Sequence, residues 1–213
     1  LGPGIVYKYA KAFGFGTKSG VDLPGEISGI LKDPRQWSKT SIGAVPMGQE
    51  VGVTAIQLSA AMCAIANGGI LMKPYVIKEI RDKFGESIKQ FGPQQMHRVI
   101  SEQTASRMRK ILQGVVENGT GKLAIVSGYT AGGKTGTAQK IENGAYSHSK
   151  FVGSFIGFAP ADDPVLVVGV TLDDPHPMYY GGVVSAPVFK NVAGDVLRYL
   201  KITQQVSQNN AAF

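Results

Sequence analysis

The sequence predicts an α+β fold in which helical segments come first and an antiparallel sheet follows. Apolar residues recur at helical spacing up to about residue 120, and three strand-like segments come after them. The 213 residues are 43% hydrophobic and 17% charged, which is enough apolar material for one domain with its own core. The 28 glycines and 11 prolines show no collagen-like period, so they indicate many tight turns.

Three helices are predicted in the first 120 residues, each with apolar residues three or four positions apart and glycine close to its end. They are a helix from Pro3 to Phe13, a helix capped by Thr54 that ends at Asn67, and a helix capped by Ser101 that ends at Asn118. In the last of these, Ile111 belongs to the face that is expected to be buried. Residues 17–53 mix glycine, proline and charge, which favours a long irregular connection.

Three strands are predicted after residue 120, over residues 132–141, 151–159 and 165–172. The pair Asn143-Gly144 is typical of a tight hairpin, so an antiparallel meander is expected. Ser185, with proline two residues later, then begins a terminal helix. We interpret residues 1–120 as a helical part and 121–202 as the sheet with its terminal helix, within one domain, and residues 203–213 as a polar tail.

Charge and composition exclude several classes of function. The net charge of +7 permits an anionic partner, but the basic residues form no run of five, so no nucleic-acid binding is predicted. No apolar stretch approaches the roughly 18 residues of a membrane span. Cys63 and three scattered histidines give neither a disulfide framework nor metal-ligand spacing, so no metal or cofactor is predicted. The start at Leu1 lacks an initiator methionine, which indicates a piece of a longer protein.

Residues 132–139, which read Gly-Gly-Lys-Thr-Gly-Thr-Ala-Gln, form the most unusual segment of the sequence. Glycine inside a strand is unfavourable unless another backbone approaches closely, so Gly136 predicts a ligand along this strand. Thr135 and Thr137 direct their hydroxyls to one face, and Lys134 adds a positive charge. Such an edge suits a carboxylate, and a strand N–H there can stabilise an oxyanion.

Two other interpretations compete for this segment. A Lys-[Ser/Thr]-Gly tripeptide by itself also occurs by chance, and it is weak evidence of function. A phosphate-binding P-loop is disfavoured because a strand, rather than a helix, is predicted to follow Gly133-Lys134-Thr135. The choice between these interpretations therefore depends on the sequence on either side of residues 132–139.

Further segments on both sides of Lys134-Thr135-Gly136 provide that context. They are Gly157–Pro160, Tyr179–Gly182 and Ser185–Phe189 downstream of it, and Ala12–Gly16, Asp22–Glu26, Gly48-Gln49 and Val53–Leu58 upstream. Together they closely resemble class B penicillin-binding proteins, the peptidoglycan transpeptidases of bacterial division and elongation. The resemblance covers residues 1–202 and implies the C-terminal part of a transpeptidase domain. Its fold, like that of serine β-lactamases, has a five-stranded antiparallel sheet flanked by helices, here without the first two strands and the helix of the nucleophile.

In this family Ser-x-x-Lys, Ser-x-Asn and Lys-[Ser/Thr]-Gly line the active-site cleft in that order along the chain. Lys134-Thr135-Gly136 matches the third element, so the resemblance places the other two upstream of Leu1. Residues 147–150 fit Ser-x-x-Lys, but they follow the third element and are expected to form a solvated hairpin flank. Residues 207–209 fit Ser-x-Asn, but they belong to the predicted tail. Neither segment is expected to act in catalysis.

The resemblance also implies roles for individual residues. Lys134 supports proton transfer around the second serine, Thr135 and Thr137 bind the substrate carboxylate, and the Thr137 N–H belongs to the oxyanion hole. Gly136 keeps the strand approachable. Tyr179 and Tyr180 either line the substrate groove or anchor their own loop. The residues of this chain do not identify the general base.

The intact enzyme is then expected to acylate its serine with the penultimate D-alanine of a peptidoglycan stem peptide and to pass the acyl group to an amine. β-Lactam antibiotics would trap the acyl-enzyme, whereas the present chain by itself is expected to be inactive. The alternatives are a D,D-carboxypeptidase, a β-lactamase-type hydrolase and a non-catalytic penicillin-recognising sensor or scaffold.

The resemblance further implies an extracytoplasmic, periplasmic domain held at the inner (plasma) membrane by an upstream anchor, with proteins of the division or elongation complexes as partners. The strand at 165–172 is expected to leave one edge unpaired. An upstream segment of the same protein, present as a separate chain or as sequence before Leu1, is expected to pair with that edge.

Overall fold

The computed structural model describes residues 2–205, and these divide into two compact units. The first unit comprises residues 2–64 and 69–101, and the second comprises residues 65–68 and 102–205. The division at residue 101 comes before the change of sequence pattern near residue 120, because the helix between these positions packs against the sheet that follows it. In the part of the chain that the structure describes, no helix is both long and apolar enough to cross a membrane.

The first unit contains helices and three small antiparallel sheets. Its helices are α1 (Pro3–Ala12), α2 (Ser41–Ala44) and α3 (Ala55–Ala66), the last of which ends in the second unit. Its strands are β1 (Ile30–Leu31), β2 (Val51–Gly52), β3 (Ile70–Lys73), β4 (Glu79–Arg81), β5 (Ser87–Gln90) and β6 (Gln94–Arg98). The pairs are β1 with β2, β3 with β6, and β4 with β5.

These six strands correct the expectation that residues 1–120 are mainly helical. The predicted helices are present, but the strands between them carried no recognisable pattern. Strands β1 and β2 have only two residues each, and every residue of β5 and β6 is exposed. Without a buried face there is no alternation of apolar and polar residues from which a strand can be predicted.

Polar side chains hold the loops of the first unit. The Asp22 carboxylate accepts hydrogen bonds from the backbone N–H groups of Val76 and Ile77, each at 2.8 Å. The Glu26 carboxylate accepts from the Ser19 hydroxyl at 2.5 Å and from the Ser19 and Gly20 N–H groups at 2.6 and 3.0 Å. The Ile77 N–H lowers the pKa of Asp22, and the Ser19 hydroxyl lowers the pKa of Glu26. The segment Asp22–Glu26 therefore has a structural explanation.

Helix α3 begins with a reciprocal cap. The Thr54 hydroxyl accepts a hydrogen bond from the Gln57 N–H at 3.2 Å, and the Gln57 side-chain oxygen accepts one from the Thr54 N–H at 3.0 Å. The Gln57 amide nitrogen also donates to the carbonyl oxygens of Thr17 and Ser28, at 2.8 Å each. This buried glutamine thus connects the helix with the loops before it.

The second unit contains the predicted meander and the helices that cover it. Its elements are α4 (Glu102–Glu117), β7 (Gly132–Glu142), β8 (Ala145–Ala159), β9 (Leu166–Asp173), α5 (Gly181–Val184) and α6 (Ala186–Tyr199). The strands pair antiparallel in the order β7-β8-β9. Asn143 and Gly144 form the predicted turn between β7 and β8, with φ angles of 52° and 81°. Because both angles are positive, this dipeptide is well suited to a tight hairpin turn.

The core of the second unit lies between the sheet and helices α4 and α6. Phe155, Phe189 and Leu197 are fully buried, and the Phe155 and Phe189 rings are 4.8 Å apart between centroids. Ile111, which was expected to be buried, is 62% exposed, so the buried face of α4 consists of other residues, namely Ala105, Leu112 and Val116.

Two predictions near the C-terminus need correction. Ser185 precedes α6 as predicted, but its hydroxyl donates to the Gly153 carbonyl oxygen at 3.0 Å instead of capping the helix. The predicted tail at 203–213 is attached at its start, because the Gln205 N–H donates to the Gly128 carbonyl oxygen at 2.9 Å. The Ser-x-Asn match at 207–209 lies outside the described residues.

Candidate active site

Residues 134–137 lie in β7, at an edge of the three-stranded sheet. On its paired side β7 contacts β8, with Gly136 opposite Ser154 and Thr137 opposite Gly153. The side chains of Lys134 and Thr137 are exposed, while Thr135 and Gly136 are half-buried. The segment that sequence analysis singled out is therefore accessible from solvent.

The Lys134 ammonium group lies beside the backbone of its own strand. Its Nζ donates a hydrogen bond to the Thr135 carbonyl oxygen at 2.7 Å. None of the ion pairs formed among residues 2–205 includes Lys134. Its positive charge is therefore not neutralised by a carboxylate of the described residues and is available to an anion.

The two threonines of this segment are each fixed by a different element of the fold. The Thr135 hydroxyl oxygen lies 2.8 Å from that of Thr120, which belongs to the loop after α4. The Thr137 hydroxyl oxygen accepts a hydrogen bond from the Gly181 N–H, at the start of α5, at 3.2 Å. The rotamers of both side chains are therefore determined by neighbours outside β7.

Gly136 has a packing explanation in addition to the predicted one. A Cβ atom at this position would overlap the Ser154 hydroxyl, which lies beside Gly136 on the neighbouring strand. The contact with Ser154 by itself accounts for a glycine here. Approach of a ligand backbone to Gly136 stays a prediction.

Gly181 and Gly182 bring α5 close to the edge segment. A Cβ atom on Gly181 would overlap the carbonyl oxygens of Ser154 and Gly136, and one on Gly182 would lie 2.5 Å from the Thr120 carbonyl oxygen. Neither position tolerates a larger residue without movement of the backbone. This glycine pair belongs to the sequence motif Tyr179–Gly182, but no role was predicted for it, and none was predicted for Thr120.

The two tyrosines that precede this glycine pair form an aromatic stack. The Tyr179 ring is stacked on Phe151 of β8, with centroids 4.1 Å apart and planes 11° apart. Its hydroxyl donates to the Tyr180 hydroxyl at 3.3 Å, and this hydrogen bond raises the pKa of Tyr179. The stack supports a loop-anchoring role for Tyr179, while Tyr180 is 51% exposed and is free to contact a ligand.

The Ser-x-x-Lys match at residues 147–150 lies within β8, not at the start of a helix. The Ser147 hydroxyl is buried, and it accepts hydrogen bonds from the N–H groups of Ser149 and Lys150 at 3.3 and 3.2 Å. The Lys150 ammonium pairs with Glu142 at 2.5 Å across the hairpin. Lys150 is at the surface, as predicted for a hairpin flank. Ser147 was also predicted to be solvated, but it is buried, and its hydroxyl is hydrogen-bonded to the backbone of its own strand.

Comparison with known proteins places these features in a family. The sequence profile described as "Penicillin binding protein transpeptidase domain" matches residues 1–194. Stage V sporulation protein D of Bacillus subtilis is 44% identical over 210 residues, which cover 98% of this chain and 32% of that protein. The probable peptidoglycan D,D-transpeptidase PenA of Neisseria flavescens is 35% identical over 212 residues, which cover 99% of this chain and 50% of the relative.

Solved structures confirm the predicted fold. Penicillin-binding protein 3 of Mycobacterium tuberculosis, complexed with ampicillin, superimposes with a TM-score of 0.90 at 35% identity, over 97% of this chain and 48% of that structure. The transpeptidase domain of penicillin-binding protein 3 from Burkholderia pseudomallei superimposes with a TM-score of 0.84 at 32% identity, over 97% of this chain and 60% of that structure. The chain spans between about one third and three fifths of the length of these proteins.

Proposed function

The chain belongs to the penicillin-binding protein transpeptidase domain family, and from this premise we propose that the protein is a peptidoglycan D,D-transpeptidase that acts by serine acyl transfer. The observation that carries the proposal is the exposed edge segment 134–137. Within these four residues of an edge strand lie two oriented hydroxyls and one ammonium group that forms no ion pair among residues 2–205. A peptidoglycan stem peptide ends in a D-alanine carboxylate, and β-lactams such as penicillin carry a carboxylate as well. The segment offers such a group both charge and hydrogen bonds.

The four residues have separate tasks in this proposal. Thr135 and Thr137 donate hydrogen bonds to the ligand carboxylate, and Gly136 keeps the strand between them narrow. Lys134 supplies the positive field that attracts the carboxylate and supports proton transfer around the second serine of the family pattern. The general base that activates the nucleophile is left unassigned.

The Thr137 N–H is proposed as an oxyanion-hole donor, and the direction of the neighbouring backbone supports this. The Thr135 carbonyl oxygen accepts from Lys134 Nζ, so it faces the open side of β7. In an antiparallel pair, residues whose N–H and C=O groups face the partner strand alternate with residues whose groups face away. Thr137 lies two residues beyond Thr135, so its N–H is expected to face the open side too.

The nucleophilic serine and the second serine are proposed to belong to parts of the protein that lie outside residues 1–213. Two observations support this. The family relatives are two to three times as long as the matched region, and the Ser-x-x-Lys match of this chain is enclosed in β8. The chain alone is then inactive, and an upstream segment, as a separate chain or as preceding sequence, completes the cleft and pairs with β9.

The cellular setting is also a proposal. Penicillin-binding proteins of this type act on peptidoglycan, so the domain is placed outside the cytoplasm, at the plasma membrane, with division or elongation proteins as its partners. Resemblance to a relative named as a probable peptidoglycan D,D-transpeptidase supports this placement.

Labelling by a fluorescent penicillin tests the function. The full-length protein is expected to become covalently labelled, and residues 1–213 alone are not. Lys134→Ala in the full-length protein is expected to slow labelling by about a hundredfold, the order found when one electrostatic partner of a transition state is removed. Lys140→Ala is the matched control, because Lys140 belongs to the same strand but pairs with Asp173.

Three outcomes would contradict the proposal. A full-length protein that penicillin does not label has no acylable serine of this type. Equal rates for Lys134→Ala and Lys140→Ala would remove the edge segment from the mechanism. With a peptidoglycan stem peptide as the acyl donor, release of the acyl group to water, with none passed to an added D-amino acid, would indicate a carboxypeptidase or β-lactamase-type hydrolase instead of a transpeptidase.

A further inference from the structure

We propose that Thr120 is a positioning residue of the carboxylate-binding edge, which acts by fixing the hydroxyl of Thr135. The inference rests on the proposed function, because it assigns a new residue to the same site. Thr120 lies outside the Lys-Thr-Gly segment, 15 positions before Thr135, and the two hydroxyl oxygens are 2.8 Å apart.

The first step concerns the protons of this hydroxyl pair. A threonine hydroxyl has one proton to donate and two lone pairs that accept. When two hydroxyls form a hydrogen bond, one proton is consumed and the other stays available. Thr120 and Thr135 together therefore present one O–H donor to a ligand, and a carboxylate is a strong acceptor for it.

Thr137 is arranged in a comparable way. Its hydroxyl oxygen accepts from the Gly181 N–H at 3.2 Å, so this bond uses a lone pair and leaves the proton available. Thr135 and Thr137 lie two residues apart on one strand, which puts their side chains on one face. Two oriented O–H donors, each fixed by a group outside β7, thus point from the same face.

The loop that carries Thr120 is held in position by the end of α4. The N–H groups of Gly119 and Gly121, on either side of Thr120, both donate to the Val115 carbonyl oxygen, at 3.1 and 2.9 Å. Added Cβ atoms on Gly119 and Gly121 would lie 2.9 Å from Val115 and 3.2 Å from Phe155. The two glycines therefore permit a tight loop that presents Thr120 to the strand.

The carbonyl group of Thr120 makes a second contact, with α5. A Cβ atom on Gly182 would lie 2.5 Å from the Thr120 carbonyl oxygen and 3.3 Å from the Thr135 methyl carbon. Gly182 follows Gly181, whose N–H fixes Thr137. The Thr120 loop and the start of α5 thus meet beside Thr135, so the positions of both donors depend on the same contacts.

The test measures the second-order rate constant for acylation of the full-length protein by benzylpenicillin and by its methyl ester. Thr120→Val removes the hydroxyl and nearly preserves the shape of the side chain. It is expected to slow acylation by benzylpenicillin about tenfold, because it removes one hydrogen bond, the one that orients Thr135 towards the ligand carboxylate. Thr120→Ser keeps the hydroxyl and is expected to stay within about threefold of the wild type. The methyl ester lacks the carboxylate, so its rate should be nearly the same in all three proteins.

A double substitution and a control sharpen the test. If Thr120 acts through Thr135, the loss in Thr120→Val/Thr135→Val will be smaller than the product of the two single losses. Thr171→Val is the control, since it removes an exposed hydroxyl from β9 of the same sheet, and its rate should equal that of the wild type. Melting temperatures close to that of the wild type will show that Thr120→Val has folded.

The outcomes separate this inference from the function on which it rests. Wild-type protein that is not acylated overturns the proposed function and the role of Thr120 with it. Acylated wild type with an unchanged rate in Thr120→Val overturns the role of Thr120 alone. An equal loss with the methyl ester, or no rescue in Thr120→Ser, shows that Thr120 does not act through the carboxylate, and it also overturns the inference.

Discussion

The two units of this protein differ in what fixes their backbone. The backbone of the second unit is fixed by long antiparallel strands and by fully buried side chains such as Phe155 and Leu197. In the first unit, polar side chains such as Asp22 and Gln57 bind the N–H and carbonyl groups of distant loops. The comparison teaches that one sequence can specify backbone in two ways, and that only the first way leaves a periodic pattern in the sequence.

The largest effect on stability is expected from the core of the second unit. Phe155→Ala removes a ring that is fully buried against Phe189 and should lower the free energy of unfolding by about 3–5 kcal/mol. Ile111→Ala is the matched control, because Ile111 is 62% exposed and should cost well under about 1 kcal/mol. Urea denaturation followed by circular dichroism measures both, and similar losses would contradict the description of this core.

The next effect concerns the two kinds of glycine in the second unit. Gly181→Ala places a methyl group on the carbonyl oxygens of Ser154 and Gly136, and it is expected to destabilise the unit by about 1–3 kcal/mol and to displace the start of α5. Gly114→Ala lies inside α4 with nothing near its added carbon, so it should stabilise by about 0.5–1 kcal/mol. Melting temperatures that move in the same direction for both variants would contradict the prediction that the contacts of Gly181 exclude a larger side chain.

The smallest effect tests the polar loops of the first unit through their pH dependence. Hydrogen bonds lower the folded-state pKa of Glu26, so the carboxylate's stabilising contribution is complete above its unfolded pKa of about 4.3 and is lost as the pH falls through the folded pKa. Glu26→Gln should lower the melting temperature by about 2–4 °C at pH 7, after allowance for solvent exposure. The difference from the wild type should shrink towards pH 3.

Glu86→Gln is the control for this pH series. Glu86 is exposed in the same unit, and its substitution should leave the melting temperature unchanged at every pH. A difference between Glu26→Gln and the wild type that persists unchanged at pH 3 would mean that the ionised carboxylate does not stabilise the loop.

How well the fold could be predicted follows the same division. The predicted ends of β7 and β9 differ from the observed ends by no more than one residue, because apolar and β-branched residues mark a buried sheet. The turn at Asn143-Gly144 was also predicted, because this dipeptide suits the positive φ angles of a tight hairpin. The pairing of β3 with β6 was not predicted, because 20 residues separate them and every residue of β6 is exposed.

The candidate site could be predicted only along one strand. Lys134, Thr135 and Thr137 share a strand, so their spacing indicates a common edge. The contact of Thr120 with Thr135 and that of Gly181 with Thr137 join elements far apart in sequence, and no local pattern specifies such contacts. The repeated glycines around Thr120 and at 181–182 were the available signal, since paired glycines often mark close backbone approach.

The central claim is that residues 134–137 bind the carboxylate of the acyl donor. A crystal structure of the full-length protein acylated by benzylpenicillin tests this claim most directly. The expected result is a ligand carboxylate within hydrogen-bonding distance of the Thr135 and Thr137 hydroxyls, with Thr120 still bonded to Thr135. A covalently bound penicillin whose carboxylate contacts neither hydroxyl would contradict the claim.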